Sequence, residues 1–187
     1  MRAGAWVGAL LLAASPLQAA DFGPAELFQM LSAGRHDRAE FREKKFMALL
    51  DRPVESSGVL SFTPPDNLEK RTLLPKPETL IADREQVTLE RGGKRHTLRL
   101  RENPQVAVVV ESLRATLAGD LAALRRTYSV GLDGTRERWR LVLRPLDPAL
   151  EGLVTRIEVG GEQGRVGSVE IFQADGDRSV MTITPVK

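Results

Sequence analysis

From Val54 onward, with one interruption, the chain is divided into short runs of alternating and β-branched residues, separated at roughly 8 to 12 residue intervals by clusters of Pro, Gly, Asn and Asp. A side-chain period of two suits a strand, and the punctuating residues supply the tight, often positive-φ turns that hairpins need. This pattern predicts strands over Gly58 to Phe62, Leu68 to Leu74, Thr79 to Ala82, Gln86 to Arg91 and Arg95 to Arg101. Beyond the interruption it predicts Thr127 to Gly131, Glu137 to Arg144, Leu153 to Val159, Val166 to Gln173 and Ser179 to Thr184. The clearest alternation puts Trp139, Leu141 and Leu143 on one face and Arg138, Arg140 and Arg144 on the other. About ten strands in antiparallel order follow, with no internal repeat or linker dividing them.

Helical signals are sparse. Ala25 to Ala33 spaces Leu27, Met30 and Leu31 at helical intervals and stops at Gly34. Asn103 as N-cap and Pro104 at the first helical position open a second helix, where Val106, Val110, Leu113 and Leu117 share a face and Gly119 ends the run. Asp120 caps a shorter third helix through Leu121, Leu124, Arg125 and Arg126. Ala39 to Leu50 fits a helix and a strand equally well. A sheet with one apolar face must close on itself, meet a second sheet or take helices as a cover. These helices are too few for a full layer, so they are expected to lie as a lid or plug on the concave face. The expected fold class is mainly β (α+β): a strongly curved antiparallel half-barrel of about ten strands with helices across it.

The N-terminus carries one charge, Arg2, then an apolar run from Ala3 to Ala14 and small residues at Ala19 and Ala20. This is the pattern of a secretory signal peptide over residues 1–20, with cleavage near Ala19 or Ala20 and a single domain over 21–187. The run is interrupted by Gly4 and Gly8, is followed by Pro16, and is shorter than the ~20 apolar residues that span a bilayer. The expected location is therefore the periplasm.

The chain has no Cys, which excludes disulfides, thiolate nucleophiles and Cys-bound metals, and lipid attachment to a Cys after the signal peptide. Its 27 basic and 25 acidic residues nearly cancel, so nucleic acid is not an expected partner. His36 sits between Arg35 and Asp37 and His96 alternates with Leu98 and Leu100, neither with a second His at ligand spacing, and no Ser lies in a Gly-x-Ser-x-Gly turn. No catalytic set, metal or cofactor is expected. The arginines of the Trp139 strand, and Glu43 with Lys45, read as solvated surface charge.

In order along the chain, Ala39-Glu40-Phe41-Arg42-Glu43-Lys44-Lys45, Ser57-Gly58-Val59-Leu60-Ser61-Phe62-Thr63-Pro64-Pro65-Asp66-Asn67-Leu68-Glu69-Lys70 and Glu78-Thr79-Leu80-Ile81-Ala82-Asp83 resemble the LolA family of periplasmic lipoprotein carriers. Leu117-Ala118-Gly119-Asp120, Trp139-Arg140-Leu141-Val142-Leu143-Arg144-Pro145 and Asp175-Gly176-Asp177 resemble its LolA-related branch. The resemblance implies a half-open curved sheet, helices over its mouth and an apolar cavity for acyl chains. It also implies a monomer that takes acylated cargo, lipoprotein or lipid, from an inner-membrane release complex or exporter and passes it to an outer-membrane acceptor. The expected lipid-binding residues are Phe41, Leu60, Phe62, Leu80, Trp139, Leu141, Leu143 and Ile157, with Val106, Val110 and Leu113 beneath the lid. The family's carriers hold the lid through an Arg just before a Pro, and Pro64 occupies that place in this chain. The rival reading is a lipid- or protein-sensing regulatory domain of the same fold.

Overall fold

The computed structural model describes residues 22–34 and 38–186; the expected signal peptide and His36 lie outside them. Eleven strands form one open antiparallel sheet in the order β6-β5-β4-β3-β2-β1-β11-β10-β9-β8-β7. The first meander runs β1 (Arg38–Phe46), β2 (Val54–Thr63), β3 (Asn67–Leu74), β4 (Glu78–Asp83), β5 (Gln86–Arg91) and β6 (Lys94–Arg99). The second runs β7 (Tyr128–Gly134), β8 (Trp139–Pro145), β9 (Val154–Glu162), β10 (Arg165–Gln173) and β11 (Arg178–Pro185). They are joined where β11 returns to pair with β1, Ala39 opposite Pro185 and Lys45 opposite Ser179.

The expected strands are all present, and β1 resolves the ambiguous segment as an eleventh. The strand expected to run to Arg101 ends at Arg99, because Leu100–Glu102 turn into a 3-10 helix whose first N–H donates to the Glu85 carbonyl. Three helices fall where the periodicity places them: α1 (Pro24–Ala33), α2 (Pro104–Ala118) and α3 (Leu121–Thr127). A single turn, α4 (Pro148–Glu151), has no counterpart in the alternation and is capped by Asp147, which accepts from the Ala149 N–H at 2.9 Å. Asp120 caps α3 through the Ala123 N–H at 2.8 Å. Asn103 stands at the N-cap of α2, but its side chain donates back to the Arg99 carbonyl at 2.9 Å and leaves the helix N–H groups without a side-chain cap.

The core lies in two parts. Leu27, Phe28 and Leu31 of α1, Val108 of α2 and Leu124 of α3 pack on Trp139, Leu141, Leu143, Ile157 and Val159. On the other side, Val110 of α2 packs with Phe62, Leu68, Ala82, Val87 and Leu100. Helix α2 therefore presents valines in two directions, which explains how Val108-Val109-Val110 is helical despite its strand propensity: packing on both sides outweighs a few tenths of a kcal/mol per residue. On the opposite face of the sheet Arg140 pairs with Asp133 at 3.1 Å and reaches Glu158 at 3.8 Å. The central arginine of the stripe is thus neutralised locally.

Gly119 ends α2 with φ 73°, and a Cβ there would lie 2.5 Å from Ser32 Cβ and 2.6 Å from the Phe28 carbonyl oxygen of α1. Left-handed strain of about 1–2 kcal/mol and the clash together give Gly119→Ala a destabilisation of about 2–4 kcal/mol. Thermal unfolding should show Tm lower by roughly 5 to 15 °C, and an unchanged Tm would mean that α1 and α2 are not packed this closely.

Candidate functional site

Leu80 of β4 and Val159 of β9 face one common space beneath α2, although six strand spacings separate them in the sheet. A flat sheet would hold them roughly 29 Å apart, so the sheet curls around that space. The cavity measures about 360 Å³. Its roof is Val106, Val109, Val110, Leu113 and Leu117 of α2; its floor includes Leu60, Leu80, Val169, Ile171, Met181 and Ile183. It lies in the gap between the two parts of the core.

A larger depression of about 790 Å³ lies along Glu137–Trp139 and residues 160–168. Its walls are largely glycine and charged side chains, so it offers little apolar surface. The cavity under α2 is the better candidate for an apolar ligand, because such sites are concave, mostly apolar and marked by a few convergent polar groups.

Five of the eleven expected lipid-binding residues line this space: Leu60, Leu80, Val106, Val110 and Leu113. The other six are packed away from it. Phe62 belongs to the smaller core, while Trp139, Leu141, Leu143 and Ile157 belong to the larger one under α1 and α3. Phe41 is buried beneath the Lys70 ammonium, 4.9 Å from its ring centre. The sequence reading omits the lining from β9, β10 and β11, whose alternation was already visible at Val169, Ile171, Met181 and Ile183.

One expectation is overturned outright. Glu43 is not solvated surface charge: it points inward between Phe41 and Lys45 and is only 8% exposed. Its carboxylate accepts from Ser179 Oγ at 2.6 Å, from Ser56 Oγ at 3.3 Å and from Lys70 Nζ. Burial acts to raise its pKa, but the Lys70 charge and the Lys70 and Ser179 hydrogen bonds outweigh that and hold the carboxyl below its ordinary value. Glu43, Lys45, Lys70 and Ser179 all line the cavity. Lys45 is exposed, marking where the space reaches solvent.

The lid is fixed by few polar ties. Arg114 of α2 is buried and donates from Nη1 to the Arg84 carbonyl in the β4–β5 turn at 2.6 Å. Its Nε and Nη2 are buried without a hydrogen-bond partner, and burial lowers its pKa, with Asp66, Glu111 and Asp83 acting in the opposite direction. The Tyr128 hydroxyl donates to the Val108 carbonyl, and burial raises its pKa. With Pro64 in the turn after β2, the tie to the helix comes from the helix itself.

Residues 13–184 match the profile of the outer membrane lipoprotein carrier protein LolA-like family. The chain belongs to that family. No curated protein matches it at a significant level. Among solved structures, a LolA superfamily protein from Nitrosomonas europaea is similar at 9% identity and TM-score 0.47, covering 85% of this chain and 90% of that one. LprF from Mycobacterium bovis is similar at 13% identity and TM-score 0.36, covering 88% and 94%. The MucA/MucB complex of Pseudomonas aeruginosa is similar at 10% identity and TM-score 0.42, covering 88% and 59%. In this LolA-like chain no described helix is long and apolar enough to cross a membrane. Among the described residues no three His, Asp or Glu side chains gather as a metal site would require.

Lys70→Met would leave the Glu43 carboxylate without its cation, at a cost of about 3–5 kcal/mol, and Glu43→Gln added to it should recover much of the loss. Denaturant midpoints of the single and double variants test this; equal destabilisation by both would show that the charge is not what matters. The lowered Glu43 pKa also sets a pH dependence. Its stabilisation is complete above the ordinary carboxyl value of 4.5 and disappears as pH falls through the lowered pKa. Acid titrations of stability should therefore be shallower for Glu43→Gln than for the wild type.

Proposed function

We propose that this protein is a non-enzymatic extracytoplasmic carrier that hides an acyl chain from water in the cavity beneath α2. The concave, mostly apolar space between helix and sheet, in a LolA-like chain, is the observation that carries this reading. Residues 1–20 serve as a cleaved signal peptide in this account, and residues 21–187 act as one carrier domain in the periplasm. Leu60, Leu80, Val106, Val110 and Leu113 contact the chain, joined by Met181, Ile183, Val169 and Ile171. The cargo is an acylated molecule, lipoprotein or lipid, received from an inner-membrane donor and passed to an outer-membrane acceptor or envelope export system.

The physical need for such a carrier follows from transfer energies. Each methylene sheltered from water is worth ~0.8 kcal/mol, so a chain of about 14 carbons carries roughly 11 kcal/mol against free passage through water. A protein cavity supplies the same shelter in mobile form. At about 360 Å³ the space sits near the lower end of small-molecule sites, which suits one chain at a time with α2 in this position. Larger acyl groups require α2 to lift from the sheet. Delivery then runs downhill to an acceptor that shelters the chain better.

Protein purified from the periplasm, extracted and analysed by lipid mass spectrometry, should yield acylated molecules, and the emptied protein should bind a fluorescent fatty-acyl probe. Leu60→Trp, which fills the floor of the cavity, should weaken probe binding at least tenfold while leaving Tm within a few degrees of the wild type. A ligand-free protein indifferent to the probe would end this reading.

A further inference from the structure

The charged groups of the cavity lie together on one part of its sheet wall, apart from the polar Gln105 and Thr116 that α2 contributes to the roof. Lys45 and Ser179 face each other across the β1–β11 pairing, and Glu43, two residues before Lys45, bonds both Ser179 and Lys70. Gln173, on the same face two residues beyond Ile171, extends the patch, and Ile171 is itself opposite Ser179. Apart from Gln105 and Thr116, the rest of the lining is aliphatic. A space intended only for hydrocarbon would gain nothing from these groups, since replacing a buried ion pair with apolar residues is often neutral or stabilising.

The charges do not cancel. Glu43 already accepts from one ammonium and two hydroxyls, and as an anion beside two ammonium groups it is no partner for an acidic head. Lys70 spends one N–H on Glu43 and rests over the Phe41 ring, leaving donors on a side chain that is 25% exposed. Lys45 adds a second ammonium near the solvent end. Two cations against one committed carboxylate leave a net positive wall beside an aliphatic pocket.

From this arrangement, and resting on the carrier reading above, we infer that the cavity selects an acyl chain bearing an acidic head, a carboxylate or phosphate monoester, seated against Lys70 and Lys45. Glu43 is a positioning residue: it holds the Lys70 ammonium at the cavity wall and does not touch the ligand. A neutral ester of the same chain fills the aliphatic part equally well but leaves the two ammonium groups without an anion.

Two matched pairs of ligands test this by isothermal titration or probe displacement on the whole protein, below their micelle-forming concentrations. Myristate is compared with methyl myristate, and a myristoyl lysophosphatidate with monomyristoylglycerol. The acid should bind at least tenfold more tightly than its neutral counterpart in one pair or both, and the pair with the larger ratio identifies carboxylate or phosphate as the head. In the double variant Glu43→Gln with Lys70→Met, which strands no charge, the ratio should fall by at least fivefold while the neutral ligand binds as before. Lys45→Gln should lower the ratio further and weaken its dependence on salt. Equal binding of acid and neutral ligand by the wild type overturns the head-group inference and leaves the carrier reading standing; no binding by any of the four overturns both.

Discussion

The concave face of a curled eleven-stranded sheet is the constraint on which the rest of this structure depends. The apolar side chains on that face must leave water, yet the described helices supply only a limited area of apolar cover. Helices α1 and α3 settle on the β7–β9 side, where Trp139, Leu141, Leu143 and Ile157 fill the contact completely. Helix α2 must then cover the remainder alone. It does so by packing Val108 to one side and Val110 to the other, and its underside spans the ground between the two cores without reaching the floor. The cavity is thus a geometric consequence of one helix bridging a curve. It survives because the floor carries medium-sized aliphatic residues and no buried aromatic rises into it.

A second consequence concerns the charged residues. Glu43 occupies an inward position in the strand that joins the two meanders, where both neighbours, β2 and β11, can serve it. Ser56 and Ser179 come from those neighbours, and Lys70 reaches across from β3. An acid in such a place is tolerable only because three donors from three separate strands, one of them a cation, serve its carboxylate. The closure between the halves of the sheet therefore contains the chain's one strongly buried carboxylate among the described residues. Stability of this seam and chemistry of the cavity wall draw on the same groups.

How far the amino-acid order discloses this arrangement depends on which faces carry ordinary patterns. Strands β2 to β11 announce themselves because inward and outward positions differ in polarity, as in Trp139-Arg140-Leu141. In β1 the inward set is Phe41, Glu43 and Lys45 while the outward set includes Arg42 and Lys44, so charge on both faces erases the alternation. The same feature hid the most informative polar residue of the candidate site. Periodicity also tells which face a residue occupies but not what lies opposite it. Leu60 and Leu141 look alike along the chain; one meets open space under α2 and the other meets α1 and its neighbours. Depth on a concave face is set by helix placement, and that is a tertiary property no local spacing reports.

The helix that roofs the cavity is also the element least committed to its own conformation. Three consecutive β-branched residues give α2 weak intrinsic helicity, no side chain caps its N-terminus, and Arg114 ties it to the β4–β5 turn with two of its buried nitrogens left without partners. Beyond that bond and the one from Tyr128 to the Val108 carbonyl, its place on the sheet is maintained by apolar contact. A hydrocarbon chain entering beneath it supplies contacts of the same kind, so the apolar surface exposed when the helix lifts is covered again by the ligand. For the proposed carrier, a roof held by strong polar bonds would have to break them at every exchange. One held by two such bonds and otherwise by interchangeable hydrophobic contact has few to break, leaving the direction of transfer to be set by donor and acceptor.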